Sequence, residues 1–197
     1  MQFNCLALFV GLVISAFLVP ASAAQPVTTT STPLKTLPYN FTLAALNTTL
    51  PNANDTGVPL VLGYDYYVHG SSGFTTSTLA SAHDDFFPSL ALVNGAVRAY
   101  GGDGSWDTNA STITSGQSMT WVSGSWWGAV EHDVYTAIYA THHHKYATLI
   151  PNGQDPLWSL CPTGDYWKKN VVYYNISSPD KEAKDCYRVV LQVVPLP

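Results

Sequence analysis

Runs rich in Val, Tyr, Thr, Leu and Trp recur roughly every 10 to 15 residues along this chain, with Gly, Pro, Asn and Asp between them. No long stretch repeats its apolar residues at helical spacing. β-Branched and aromatic side chains suit a pleated surface, and turn residues at this spacing predict an all-β sandwich or barrel. The clearest unit is SLALVNGAVRAY, residues 89–100. Asn94-Gly95 suits a type I′ turn, which needs positive φ at both central positions. A two-residue loop there pairs Val93 with Ala96 and Leu92 with Val97. One face of the hairpin then carries Leu90, Leu92, Val97 and Ala99, and is expected to be buried. The other carries Ala91, Val93, Ala96, Arg98 and Tyr100.

Further strands are expected at 40–46, 59–69, 119–122, 126–130, 134–141, 146–150, 157–160, 171–175 and 187–194. LIPNGQDPLWSL predicts a second hairpin that turns at Pro151-Asn152-Gly153. One helix is expected over 78–87, with Ser81 as its cap. Two segments share a strand–Asn-Gly–strand layout, so a β-trefoil-like arrangement is the alternative to a single antiparallel sandwich or barrel.

The first 23 residues read as a secretory signal. An apolar run ends at Pro20, and Ala21 and Ala23 fit a signal peptidase. Residues 24–37 hold the Thr/Ser/Pro-rich QPVTTTSTP and read as a flexible segment. Residues 38–197 then form a single β domain, large enough to bury a real core. No membrane contact is expected once the signal is cleaved.

Charge is scarce. Charged residues are 11% of the chain, 13 acidic against 8 basic, for a net charge of −5. That excludes a nucleic-acid binder, which needs a basic patch. Sugars can supply the solubility that charge does not. Asn-X-Ser/Thr sequons stand at Asn40, Asn47, Asn54, Asn109 and Asn175, none with Pro at X. Each one that carries a glycan must face solvent. Cys5 leaves with the signal, so Cys161 and Cys186 remain and are expected to pair in an oxidising compartment.

Catalytic motifs are few. HGSSGF and VSGSWWG come close to a nucleophile elbow without matching it. Neither a Walker A loop nor a Gly-X-Gly-X-X-Gly motif occurs. DGSWDTN spaces Asp103, Ser105, Asp107 and Asn109 like calcium ligands, but Thr108 stands where the loop needs Gly, so a polar turn is the better reading. Glycoside hydrolysis needs two carboxylates across a cleft. Glu131 and Asp133, in AVEHDVY, are the candidate pair. ATHHHKY places His142 and His144 on one face of a strand and His143 on the other. His132 is the candidate third ligand for a metal shared by His142 and His144. Lys145 beside the cluster disfavours a dication, so the surface reading is preferred and no cofactor is implied.

Trp126 and Trp127 are adjacent, so on a strand they face opposite sides. With Tyr135 and Tyr139 they are the candidate sugar-stacking rings, although packing is the commoner fate of large aromatics.

Three stretches carry a resemblance. FTLAALNTT…GVPLVLG, FPSLALVNGAVRAY…GSW and SLCP…VVYYNIS…DCYRVVLQVVP resemble small secreted proteins of mushroom-forming and other filamentous fungi. It implies a secreted β domain with a late cysteine pair, matched by Cys161 and Cys186. Those proteins have no assigned activity, so no catalytic role carries over. The expected function is a secreted, N-glycosylated, non-enzymatic surface, cell-wall or matrix protein that binds carbohydrate, with extracellular glycans as partners. The alternative is a hydrolase or metal-assisted enzyme built on Glu131, Asp133 and the histidines.

Overall fold

The structure is a computed structural model that describes residues 32–82, 84–124, 130–139, 145–151, 153, 156–164, 168–176 and 185–197. The signal segment, Trp126, Trp127, His142 and His144 lie outside the described residues. Twelve strands stand among the described ones. In chain order these are β1 (Phe41–Asn47), β2 (Val58–Val68), β3 (Ser71–Thr78), β4 (Ser89–Val93), β5 (Ala96–Tyr100), β6 (Trp106–Asn109), β7 (Thr120–Gly124), β8 (Tyr135–Tyr139), β9 (Ala147–Pro151), β10 (Trp158–Pro162), β11 (Asn170–Tyr174) and β12 (Tyr187–Pro195). One four-residue helix, α1 (Leu79–Ala82), follows β3.

Six strands close an antiparallel barrel in the order β1-β2-β3-β11-β10-β12, and β12 returns to β1. The ring is drawn from the two ends of the domain, and the middle strands are added around it. The β4–β5–β6 meander hangs from β1 at Phe41↔Leu90. β7 lies along β3, and an Ala110↔Trp121 bridge joins it to the end of β6. β9 and β8 extend from β12. This arrangement is a barrel with outer strands rather than a threefold repeat.

The Asn94-Gly95 hairpin forms in the expected register, Val93↔Ala96 and Leu92↔Val97, with φ of 51° and 88° at the turn. Leu90, Leu92, Val97 and Ala99 are buried as expected. Ala91 and Ala96 are buried too, because the tip itself is gripped. Gly95 N–H donates to Lys35 O, and Tyr135 N–H donates to Gly95 O.

Three expectations need correction. β9 and β10 do not pair as a hairpin; both lie along the same edge of β12, at Gln192–Val193 and Tyr187–Val189. Among the described residues the helix expected over 78–87 is confined to Leu79–Ala82, and Ser81 lies inside it rather than at its cap, its Oγ donating to Thr78 O and accepting from Asn170 N–H. Two strands escaped the sequence reading. β3 is SSGFTTST, which looks like a polar loop. It is nevertheless buried between β2 on one edge and β7 and β11 on the other, and two of its threonine hydroxyls find partners. Thr76 Oγ1 accepts from Trp121 Nε1 at 2.9 Å, and Thr78 Oγ1 meets Ser81 Oγ at 2.8 Å. β6 emerges from the expected polar turn. Asp103 Oδ1 accepts from Ser105 N–H and Oγ, and the chain then extends from Trp106.

The core is aromatic and aliphatic. Trp121 and Trp158 are fully buried, and each indole N–H has an acceptor. Trp158 Nε1 donates to Leu149 O at 2.8 Å. Buried N–H groups left without acceptors are costly, so these bonds fix ring orientation as well as position. The Cys161–Cys186 disulfide is present. It continues the β10–β12 register by one rung beyond Leu160↔Tyr187.

Candidate functional site

The site begins with an irregular strand. Asp65 interrupts the β2–β3 ladder, and the register shifts between Tyr64 and Tyr66. Lys169, only 3% exposed in its side chain, holds this bulge. Its Nζ lies 2.5 Å from Asp65 Oδ1 and also donates to Tyr64 O. A buried cation needs such partners. Bulges re-aim the side chains that follow them. Here the following residues are Tyr66, Tyr67 and Val68, all exposed.

Tyr66 sits opposite Gly73. A Cβ on Gly73 would fall 2.3 Å from the tyrosine ring, so the ring rests directly over the glycine while 48% of the residue stays exposed. Gly73→Ala is expected to lift the ring away. The check is quenching of tyrosine fluorescence by acrylamide, which should increase in the variant.

A cleft of about 520 Å³ opens beside this hairpin. Tyr66, Val68, His69 and Ser71 form one part of its lining. Thr108 and Asn109 of β6, Ser111, and Val122 of β7 form another. Val130 and His132, which precede β8, complete it. The walls are tied together by polar bonds. Thr108 Oγ1 donates to Val122 O at 2.6 Å, and Asn109 Nδ2 donates to Val130 O at 3.1 Å. Asn109 Oδ1 accepts from Trp106 Nε1 at 3.2 Å. No Asp, Glu, Lys or Arg occurs among the described lining residues. The volume lies within the range of small-molecule sites.

The candidate carboxylates sit beside this cleft and do not line it. Glu131 is ion-paired with Arg98, whose guanidinium lies 4.4 Å from the centre of the Trp106 ring. Asp133 pairs with Lys35 at 3.6 Å, with both side chains well exposed. Each acid thus has its own basic partner. His132 does reach the cleft, but His142 and His144 lie outside the described residues. Among the described residues, no three His, Cys, Asp or Glu side chains group as a metal site.

The aromatic candidates divide. Tyr135 is fully buried, and its hydroxyl donates to Ser111 O at 2.7 Å. Burial pushes its phenol well above the ordinary range. It is a core residue and not a sugar platform, because β8 turns it inward. Tyr139 is exposed, and its hydroxyl lies 3.0 Å from that of Tyr39. Burial, together with this hydrogen bond, pushes Tyr39 up to about 12. A raised phenol stabilises the fold below the unfolded value and loses that contribution as pH rises through about 10 to 12. Absorbance at 295 nm should therefore show one tyrosine ionising near pH 12, and Tyr139→Phe should bring it down.

The reading missed Tyr66, Tyr67 and His69. Their signal is YDYYVHG, three tyrosines ahead of a His-Gly pair. The bulge at Asp65 obscured it by breaking strand alternation. Comparison with known proteins adds no relative: no family model, no curated protein and no solved structure matches the chain.

The sequons also differ from one another. Asn54 is exposed, and its Oδ1 accepts from Thr56 and Gly57 N–H. Asn47 Oδ1 accepts from Thr49 and Leu50 N–H. Both turns use the oxygen and not the nitrogen that would carry sugar. Asn40 is exposed and donates from Nδ2 to Ser89 Oγ, while half-buried Asn175 donates to Ser115 Oγ. Asn109 does not meet the condition that a glycan-bearing sequon faces solvent. It is 5% exposed, and its Nδ2 is engaged with Val130.

Proposed function

We propose that this is a secreted, N-glycosylated, non-enzymatic surface, cell-wall or matrix protein that binds neutral carbohydrate in the cleft beside the β2–β3 hairpin. One observation carries the reading. The described lining has no formal charge, yet it combines the exposed Tyr66 ring with hydroxyl, amide and imidazole groups. A sugar ring offers a C–H face to an aromatic plane and hydroxyls around its rim. An aromatic wall among neutral hydrogen-bonding groups matches both.

Secretion draws support from the disulfide, since such bonds persist in oxidising compartments. Among the described residues no helix is long and apolar enough to cross a membrane. The hydrolase reading loses support because Glu131 and Asp133 engage separate cations outside the cleft lining.

A glycan array tests the proposal. The wild-type protein should bind neutral oligosaccharides, and Tyr66→Ala should weaken the signal about ten-fold or more, the scale of a lost aromatic contact with its buried area. An array with no bound ligand would remove the carbohydrate reading. Glycopeptide mapping of the secreted protein should find sugar at Asn47 and Asn54 and none at Asn109.

A further inference from the structure

We infer that His69 is a ligand-contacting residue of the cleft, kept at a turn position that backbone chemistry would give to asparagine; this rests on the carbohydrate reading above. Among the described residues two hairpin turns are of the same kind. At β4–β5, Asn94-Gly95 has φ of 51° and 88° and closes Val93↔Ala96. At β2–β3, His69-Gly70 has φ of 48° and 82° and closes Val68↔Ser71. Positive φ at both central positions favours Asn-Gly above other pairs; histidine also enters that region, but lacks the short amide with which asparagine bonds its local backbone. Turn chemistry alone would therefore place Asn at 69 as it does at 94.

What differs is the surroundings of the two turns. The Asn94-Gly95 tip is tied down through its backbone: Asn94, its side chain exposed, donates its N–H to Thr36 Oγ1, and buried Gly95 is bonded to Lys35 and Tyr135. At the other turn Gly70 is half-buried while His69 is exposed and is part of the cleft lining. A residue other than the turn's preferred asparagine, standing at a cleft, points to a side chain kept for what it contacts.

The neighbours indicate what that ligand is. Neutral imidazole offers one donor and one acceptor, and His132 brings a second ring to the same cleft. Ser71, the next strand residue after the turn, has a buried hydroxyl with no hydrogen-bond partner among the described residues. Rotation about its χ1 can offer that hydroxyl to an occupant of the cleft. Tyr66, three residues before His69, supplies an apolar face. These groups together suit a neutral pyranose with adjacent hydroxyls, held at its rim by the imidazoles and across its face by the ring.

The test uses the secreted full-length protein and four neutral trisaccharides: cellotriose, maltotriose, mannotriose and chitotriose. Each is titrated by calorimetry against wild type, His69→Asn and His132→Gln. At least one should bind wild type. His69→Asn should melt at or above the wild-type temperature, because the turn improves, and should weaken binding about ten-fold, the scale of one or two hydrogen bonds. His132→Gln should weaken it as well. His69→Gly also tolerates positive φ and repeats the test should the Asn variant fail to fold. Binding kept within about two-fold in a folded His69 variant overturns this inference and leaves the carbohydrate reading standing. No binding of any trisaccharide by wild type overturns both.

Discussion

Trp121→Ala is expected to lower the free energy of unfolding by about 3–5 kcal/mol, the usual cost of deleting a buried aromatic. Trp121 is fully buried on β7, and its Nε1 donates to Thr76 Oγ1 at 2.9 Å. The substitution opens a cavity and also removes the indole from Thr76. Since domains of this size are held by about 5–15 kcal/mol, the variant should sit near the edge of folding at 37 °C. The effect bears on the cleft too. Alternation along β7 turns Trp121 into the core and its neighbour Val122 into the cleft wall. Urea denaturation followed by near-ultraviolet circular dichroism measures the loss. Trp121→Phe, which keeps the ring but not the N–H, should cost clearly less than Trp121→Ala.

The second large effect is expected from the disulfide. Cys161 and Cys186 are 25 residues apart in sequence. Constraining a loop of that size in the unfolded chain contributes about 3 kcal/mol. The double variant Cys161→Ser/Cys186→Ser should lose about that much, with a melting temperature lower by roughly 6–12 °C for a domain of this length. The strand pairing should survive, because the β10–β12 ladder is already set by Trp158↔Val189, Ser159↔Arg188 and Leu160↔Tyr187. Reduction of the wild-type protein should reproduce the shift, and the double variant should not respond to reductant.

The fold class was legible because its signals are local. Asn94-Gly95 announced its own turn, register and buried face. The cysteine pair followed from a count, and its members fell on β10 and immediately before β12. What escaped was set by tertiary context. β3 carries Ser, Gly and Thr at nearly every position, and only neighbours on both edges make it a buried strand. The two strands flanking Pro151-Asn152-Gly153 looked like a hairpin because sequence shows proximity along the chain. In the fold both are taken by β12.

The site was legible only in part. His132 and Asn109 were singled out, the first as a metal ligand and the second as a sequon, and both turn out to line the cleft. Glu131 and Asp133 looked like a pair because they stand two apart, but Arg98 and Lys35 come from distant parts of the chain to claim them. Tyr135 looked available because a single strand does not reveal which face the barrel buries. Tyr66 and His69 were hidden by the Asp65 bulge, whose anchor, Lys169, lies more than a hundred residues downstream.

The central claim is that the cleft beside the β2–β3 hairpin receives a neutral sugar. The most direct measurement is a chemical-shift map of the isotope-labelled protein titrated with the neutral trisaccharide that calorimetry finds tightest. Saturable shifts concentrated at Tyr66, His69, Ser71, Asn109 and Val122 are the expected result. Shifts centred on the Tyr39–Tyr139 face, or no saturable shifts at any cleft residue, would contradict it.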